Sequence, residues 1–178
     1  MKLLIIIDMQ RDFVSGSLGS TQAQEIVPKV KAKICEYNQN DGKIIFTRDT
    51  HYENYLETQE GKLLPVEHCI YGTDGWKIYE GLDDDCTVYE YIDKPTFGWR
   101  NWEATLKNVI EDITEIELVG LCTDICVVSN ALILKCLYPE MKITVDASCC
   151  AAVTEESHKA SLLTMKMCHV SIINEFNG

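Results

Sequence analysis

Cys126 is the residue of this sequence whose position most clearly predicts chemistry. It follows an apolar stretch, 116–121, that is typical of a buried strand, and it precedes an apolar-rich helical pattern over 127–137. The start of a helix favours the thiolate form of a cysteine, and the thiolate is the form that attacks carbon. We therefore expect Cys126 to be a nucleophile with an unusually acidic thiol, and the first of the nine cysteines to be alkylated near neutral pH.

Two charged residues occupy comparable positions on other predicted strands. Asp8 follows an apolar strand over 2–7, and Lys94 follows a predicted strand over 86–92. The carboxyl ends of parallel strands meet at one edge of a sheet, so we expect Asp8, Lys94 and Cys126 to converge there. Asp8, with a pKa raised by burial, would take the thiol proton and return it to a leaving amine, while Lys94 would stabilise negative charge. A simpler interpretation is that Asp8 caps a turn, Lys94 is solvated and Cys126 fills the core. Their placement at the ends of three strands favours a catalytic role instead.

A second group of residues has the types and spacing of metal ligands. Asp49 and His51 leave a predicted strand over 43–47, and His68 lies downstream. Two imidazoles and a carboxylate can bind Zn²⁺, Fe²⁺ or Mn²⁺. The alternative is a polar surface loop. Nearby glutamates could add a fourth ligand: Glu53, Glu57, Glu60 and Glu67.

Attack by a thiol on a carbonyl also requires donors for the developing oxyanion. The backbone N–H of Cys126 is expected to point out of the helix start. A second N–H from the turn at Cys122 would complete an oxyanion hole.

The order of the predicted elements indicates how these groups are positioned. Apolar stretches alternate with helical patterns, which predicts a three-layer α/β/α fold with a mostly parallel six-stranded sheet. The predicted strands are 2–7, 43–47, 86–92, 116–121, 141–145 and 169–173, and the predicted helices are 25–39, 99–112, 127–137 and 154–167. The segment 49–80 is long, polar and glycine-punctuated, and such connections are usually functional.

Composition narrows the class of protein. The chain of 178 residues is 46% hydrophobic, which predicts one domain spanning 1–178 with a substantial core. A net charge of −12 argues against a nucleic-acid partner. Neither a secretory signal nor an apolar run of membrane-spanning length is visible, and the many cysteines suggest a reducing cytoplasm. We expect a cytoplasmic enzyme that acts on a small molecule without contacting a membrane, with assembly into homo-oligomers left open.

Five ordered motifs resemble the isochorismatase-like cysteine hydrolase superfamily and, within it, the nicotinamidases. They span nearly the whole chain: IDMQRDF at 7–13, TRDTH at 47–51, HCIYGT at 68–73, KPTF at 94–97 and GLCTDICV at 120–127. The resemblance implies an amidase that converts nicotinamide to nicotinate and ammonia through a thioester. Asp8 would be the general acid and base, Lys94 its charged partner, and Cys126 the nucleophile.

The resemblance also implies a metal site and a ring pocket. Asp49, His51 and His68 would hold one divalent metal that orients the pyridine nitrogen, with Zn²⁺ expected first and Fe²⁺ or Mn²⁺ as alternatives. The additional glutamate found in some nicotinamidases corresponds to Glu60 here.

The remaining features implied by the resemblance concern the substrate ring and the nucleophile turn. Phe13 and Phe97 would line the ring pocket. Leu64 stands where many nicotinamidases carry a tryptophan, which puts aromatic stacking on that side in doubt. A cis peptide bond is implied between Leu121 and Cys122, and it would aim the Cys122 N–H into the oxyanion hole. Alternative functions are hydrolysis of another small amide or carbamoyl compound, or catalytically silent binding on the same fold.

Overall fold

The computed structural model describes residues 1–175 and contains a six-stranded sheet. All neighbouring strands are parallel, in the order β3-β2-β1-β4-β5-β6. The strands are β1 (Lys2–Ile7), β2 (Lys43–Asp49), β3 (Glu90–Lys94), β4 (Glu115–Leu121), β5 (Lys142–Ala151) and β6 (Ser171–Ile173). The strand order reverses direction at β1, so the carboxyl ends of β1, β2 and β4 border the kind of crevice where ligands bind in open α/β sheets.

Six α-helices connect these strands. They are α1 (Arg11–Val14), α2 (Thr21–Gln39), α3 (Gln59–Leu63), α4 (Trp102–Leu106), α5 (Val128–Leu137) and α6 (Glu155–Met167). A π-helical turn, Thr123–Val127, precedes α5, and short 3-10 turns cover Tyr55–Glu57 and Ile110–Asp112. Within residues 1–175, no helix has both the length and the apolar character needed to cross a membrane.

Alternating residues of β1 face two separate cores. Leu3 and Ile5 pack in a core with side chains of α4, α5 and α6. Leu4 and Ile6 pack in a second core with side chains of α2. Because successive side chains of a strand point to opposite faces, helices cover both sides of the sheet. The predicted three-layer α/β/α architecture is confirmed.

Several predicted boundaries differ from the structure. Helix α2 begins at Thr21 rather than at 25, because the Ser20 side chain accepts a hydrogen bond from the Ala23 N–H at 3.0 Å and caps the helix. The third strand covers 90–94 rather than 86–92, so Lys94 is its last residue and pairs in register with Asp49. Pro95, which has no N–H for a sheet hydrogen bond, follows directly.

Two further elements differ in length. The helix expected over 99–112 is reduced to α4 and the 3-10 turn Ile110–Asp112, where β-branched Val109 and Ile110 have weak helical propensity. The fifth strand, expected over 141–145, continues to Ala151. Its register against β4 shifts between Leu118 and Gly120, which the alternation of apolar residues did not indicate.

Gly120 allows the ends of β1 and β4 to approach closely. It pairs with Ile7 and has a φ of +117°, a conformation that residues with a side chain rarely adopt. A Cβ at this position would lie 2.1 Å from the Ile7 carbonyl oxygen. The glycine therefore lets the turn that carries Cys126 start directly beside the end of β1.

Candidate active site

The structure brings Asp8, Lys94 and Cys126 together. The Lys94 Nζ lies 2.6 Å from the Asp8 Oδ2 and 3.4 Å from the Cys126 Sγ. Asp8 and Lys94 are fully buried, and Cys126 is 5% exposed. An acid, an ammonium and a thiol from the ends of β1, β3 and β4 thus meet at one edge of the sheet.

Asp8 is held by its backbone conformation and by Thr47. Its φ of 48° lies in the left-handed region, where aspartate is better tolerated than most residues, and this turns the chain at the end of β1. The Thr47 hydroxyl donates to the Asp8 Oδ1 at 2.6 Å and accepts from the Asp8 N–H at 3.2 Å. The sequence placed Thr47 at the end of the predicted strand 43–47 and did not indicate this contact. It leaves Oδ2 of Asp8 facing Lys94.

The protonation states within this group follow from burial. Burial raises the pKa of the Cys126 thiol well above its ordinary value, and the charge of Lys94 offsets only part of this effect. Burial also raises the pKa of Asp8, again against the opposing charge of Lys94. The expectation of an unusually acidic thiol is therefore wrong, and preferential alkylation of Cys126 near neutral pH is no longer expected. Removal of the thiol from water outweighs the nearby helix start.

The predicted metal ligands also converge. One donor atom from each of four side chains lies within 4.8 Å of the others; these side chains are Asp49, His51, Glu60 and His68. The Asp49 Oδ2 lies 3.0 Å from the His51 Nε2 and 3.5 Å from the His68 Nε2. The Glu60 Oε1 lies 3.7 Å from the same His51 atom and 3.9 Å from the same His68 atom.

The chemistry of this donor set fits a divalent metal. The His68 Nδ1 lies 2.8 Å from the Val66 carbonyl oxygen, so this nitrogen donates its proton and leaves the Nε2 lone pair for a metal. The His51 Nε2 is buried and makes no hydrogen bond of acceptable geometry. Buried polar atoms without a partner are rare and call for an explanation such as a bound ion. Imidazole nitrogens with carboxylates suit Zn²⁺, Fe²⁺ or Mn²⁺ better than Ca²⁺.

Two residues of the segment after β1 support these ligands, and sequence reasoning did not assign them a role. The Gln10 side chain accepts from the Asp49 N–H at 2.7 Å and donates to the Asp49 carbonyl at 2.9 Å and the Trp76 carbonyl at 2.8 Å. The Asp12 carboxylate accepts from the Cys69 N–H at 2.8 Å, directly after His68. The only sequence signal was that both lie in the same short motif as Asp8.

Asn130 supports the nucleophile turn from α5 and was also missed. It is fully buried, and its amide donates to the Cys126 carbonyl at 2.7 Å and the Phe97 carbonyl at 3.1 Å. Its Oδ1 accepts from the Trp99 N–H and the Trp102 indole N–H, each at 2.9 Å. A single side chain therefore fixes the loop after β3 relative to the turn that carries Cys126.

One cavity of about 830 Å³ connects the two groups. Its wall includes Cys126 and, from the metal-ligand set, Asp49, Glu60 and His68. The three side chains expected to contact the substrate also line it: Phe13, Phe97 and Leu64. Asp8 and Lys94 are fully buried, and Lys94 contacts the thiol that lines the cavity.

The nucleophile turn has the backbone form that the resemblance implies. The peptide bond between Leu121 and Cys122 is cis, and Cys122 lines the cavity beside Cys126. Burial raises the pKa of the Cys122 thiol to about 12, so this second cysteine is a neutral thiol near neutral pH. Its backbone N–H remains the predicted second donor of the oxyanion hole.

The sequence and fold resemble those of known proteins. The profile of the isochorismatase domain matches residues 2–175. The chain belongs to the isochorismatase family. Within that family, a nicotinamidase of Saccharomyces cerevisiae is 25% identical over 174 residues, covering 74% of this chain and 80% of the yeast protein.

Solved structures of family members share the whole fold. A pyrazinamidase/nicotinamidase of Streptococcus mutans is 29% identical, with a TM-score of 0.84 over 97% of this chain and 100% of the other. A pyrazinamidase of Pyrococcus horikoshii, determined in complex with zinc, is 24% identical, with a TM-score of 0.81 over 98% of this chain and 99% of the other. The six-stranded sheet and its helices are therefore those of the family.

Proposed function

We propose that this protein is a metal-assisted cysteine amidohydrolase that converts nicotinamide to nicotinate and ammonia. Hydrolysis of a carbon–nitrogen bond is the reaction class that its relatives support. The observation that carries the proposal is that Cys126 lines the same cavity as three of the four candidate metal ligands, Asp49, Glu60 and His68. A small carboxamide with a ligating ring nitrogen offers a partner to each end of such a cavity.

Formation of the thioester requires a base, because the resting thiol is neutral. Asp8 and the Cys126 thiol both contact the Lys94 ammonium, at 2.6 and 3.4 Å, and Asp8 takes the thiol proton as Sγ attacks the carboxamide carbon. Lys94, 3.4 Å from Sγ, stabilises the negative charge that sulfur gains. Protonated Asp8 then delivers the proton to the leaving nitrogen, the carbon–nitrogen bond breaks, and ammonia departs.

Hydrolysis of the thioester repeats the same proton transfers with water. Asp8 takes a proton from a water molecule that attacks the thioester carbon, and the carbon–sulfur bond breaks. The proton returns from Asp8 to Sγ, which restores the neutral thiol and releases the carboxylic acid. Backbone N–H groups of Cys122 and Cys126 are the proposed donors to the oxyanion in both halves.

The metal site has a positioning role in this proposal. Asp49, His51 and His68 would hold the ion, and Glu60, which is more exposed than the other three, would complete the set from the cavity side. A bound divalent metal would supply a Lewis-acidic anchor for the pyridine nitrogen. The Pyrococcus pyrazinamidase contains zinc, and the donor set here fits the same metal.

Ammonia release from a panel of small amides tests the proposal. Purified protein loaded with zinc should release ammonia from nicotinamide, and nicotinate should form in equal amount. Chelation should reduce this activity, and added metal should restore it. Turnover of a carbamoyl compound or another small amide in the absence of nicotinamide turnover would instead support the alternative substrate class, and no turnover of any amide would support a silent binding protein.

A further inference from the structure

The cavity that contains Cys126 is much larger than nicotinamide requires. Its volume is about 830 Å³. Pockets of roughly 300–1,000 Å³ bind drug-sized ligands. Nicotinamide is a single six-membered ring with one carboxamide, so it would fill only a small part of this space.

Much of the cavity wall is apolar. Besides the side chains already named, four aliphatic side chains line it: Leu18, Leu63, Ile125 and Val153. We refer to these four side chains as the apolar wall. They come from the segment before α2, from α3, from the π-helical turn and from the segment after β5. Their convergence is produced by the tertiary fold and not by proximity in sequence.

Two side chains of the apolar wall are largely exposed. Leu63 is 79% exposed and Val153 is 68% exposed. Single exposed apolar residues are ordinary, but several that line one cleft are typical of a site that binds an apolar group. Burying these side chains against a ligand would remove apolar surface from water at both partners.

We propose that the substrates of this site are aromatic carboxamides that carry an apolar substituent, and that the apolar wall holds the substituent. This inference rests on the proposed amidase function and extends it. The occupant is assigned as part of the substrate, because the wall is continuous with the cavity that contains Cys126 and His68.

Three substrates that differ only in one ring substituent test this proposal: nicotinamide, 5-butylnicotinamide and 5-(3-hydroxypropyl)nicotinamide. The substituent lies on the ring carbon next to neither the ring nitrogen nor the carboxamide-bearing carbon, and the two substituents have the same number of non-hydrogen atoms. We expect kcat/KM for the butyl compound to exceed that for the other two by about tenfold or more, mainly through a lower KM, because the substituent binds equally in the ground and transition states.

A matched pair of variants assigns the preference to the wall. Leu63→Ser should reduce the ratio of kcat/KM for the butyl compound to that for nicotinamide by about threefold or more. Leu163→Ser on α6 is the control, because Leu163 is 59% exposed and does not line the cavity, so the ratio should stay unchanged. Both positions are on the surface, so neither change should prevent folding.

The possible failures are distinguishable. Turnover of nicotinamide without any preference for the butyl compound would overturn the inference and leave the proposed function in place. If none of the three compounds is hydrolysed, both the inference and the proposed amidase function are overturned. A dimer in light scattering that Leu63→Ser dissociates, together with no preference for the butyl compound, would assign the apolar wall to a second copy of the chain and overturn the inference.

Discussion

Lys94 Nζ lies 3.6 Å from the Oδ1 of Asp49, so one buried ammonium connects the candidate nucleophile group with the candidate metal site. The other carboxylate oxygen of Asp49 faces the two histidines. Asp49 and Lys94 are also paired with each other across the parallel strands β2 and β3, at the end of each strand. Charge placed on either group therefore acts on the other across a short, buried distance, where screening by water is weak.

Replacement of Cys126 by alanine should abolish amidase activity and preserve the fold. The proposed thioester cannot form without Sγ, so we expect kcat to fall by about a thousandfold or more. The change removes one atom from a buried position, and the free energy of unfolding should change by only about 1 kcal/mol. Measured ammonia release and thermal unfolding check both expectations. The control is Cys136→Ala on α5, because Cys136 is exposed and its replacement should leave activity unchanged. Full activity in Cys126→Ala would contradict the thioester mechanism.

The acid limb of the pH–rate profile should reflect Asp8. This carboxyl must be ionised to accept the thiol proton, and burial raises its pKa above the ordinary 3.8. Activity should therefore be lost as the pH falls through a value above 3.8, because protonated Asp8 cannot act as the base. The measurement is kcat/KM for nicotinamide across the acidic and neutral range, with circular dichroism at each pH as a control for folding. An acid limb at or below 3.8 in folded protein would assign the base to another group.

Gln10→Glu should weaken metal binding. A carboxylate keeps the size of the side chain, but it cannot donate to the Asp49 and Trp76 carbonyls, so the backbone of a proposed ligand loses its support. Loss of such supporting contacts typically reduces metal affinity by about 10–100-fold. The zinc dissociation constant, measured by competition with a chelator, checks this. The matched control is Gln24→Glu on the exposed side of α2, which should bind zinc normally; equal affinity in the two variants would remove Gln10 from the metal site.

Nicotinamide and pyrazinamide should be better substrates than benzamide. Benzamide has the ring and the carboxamide but lacks the nitrogen that a metal at the Asp49 site would contact. We expect its kcat/KM to be lower by about one to three orders of magnitude, where each ~1.4 kcal/mol corresponds to a factor of ten. The same ammonia assay with zinc-loaded protein measures all three. Equal values for nicotinamide and benzamide would mean that the metal does not orient the ring, and hydrolysis of a different small amide would become the better proposal.

The convergence of Asp8, Lys94 and Cys126 could be predicted from the sequence, because it depends on topology. Alternating strand and helix patterns imply a parallel sheet, and a parallel sheet places the residues at its strand ends along one edge. The candidate ligand set Asp49, His51 and His68 was likewise indicated by residue type and spacing. The position of Lys94 was predicted even though the boundary of its strand was wrong.

The features that depend on contacts between distant segments were decided only by the tertiary structure. Thr47, Gln10 and Asn130 donate hydrogen bonds to residues of other segments, and the spacing of apolar residues does not predict them. The charge state of the thiol was decided in the same way. The sequence predicted a helix start that favours the thiolate, whereas burial of Cys126, which is 5% exposed, raises the pKa of its thiol, because desolvation depends on all the atoms around the sulfur and not only on its own helix.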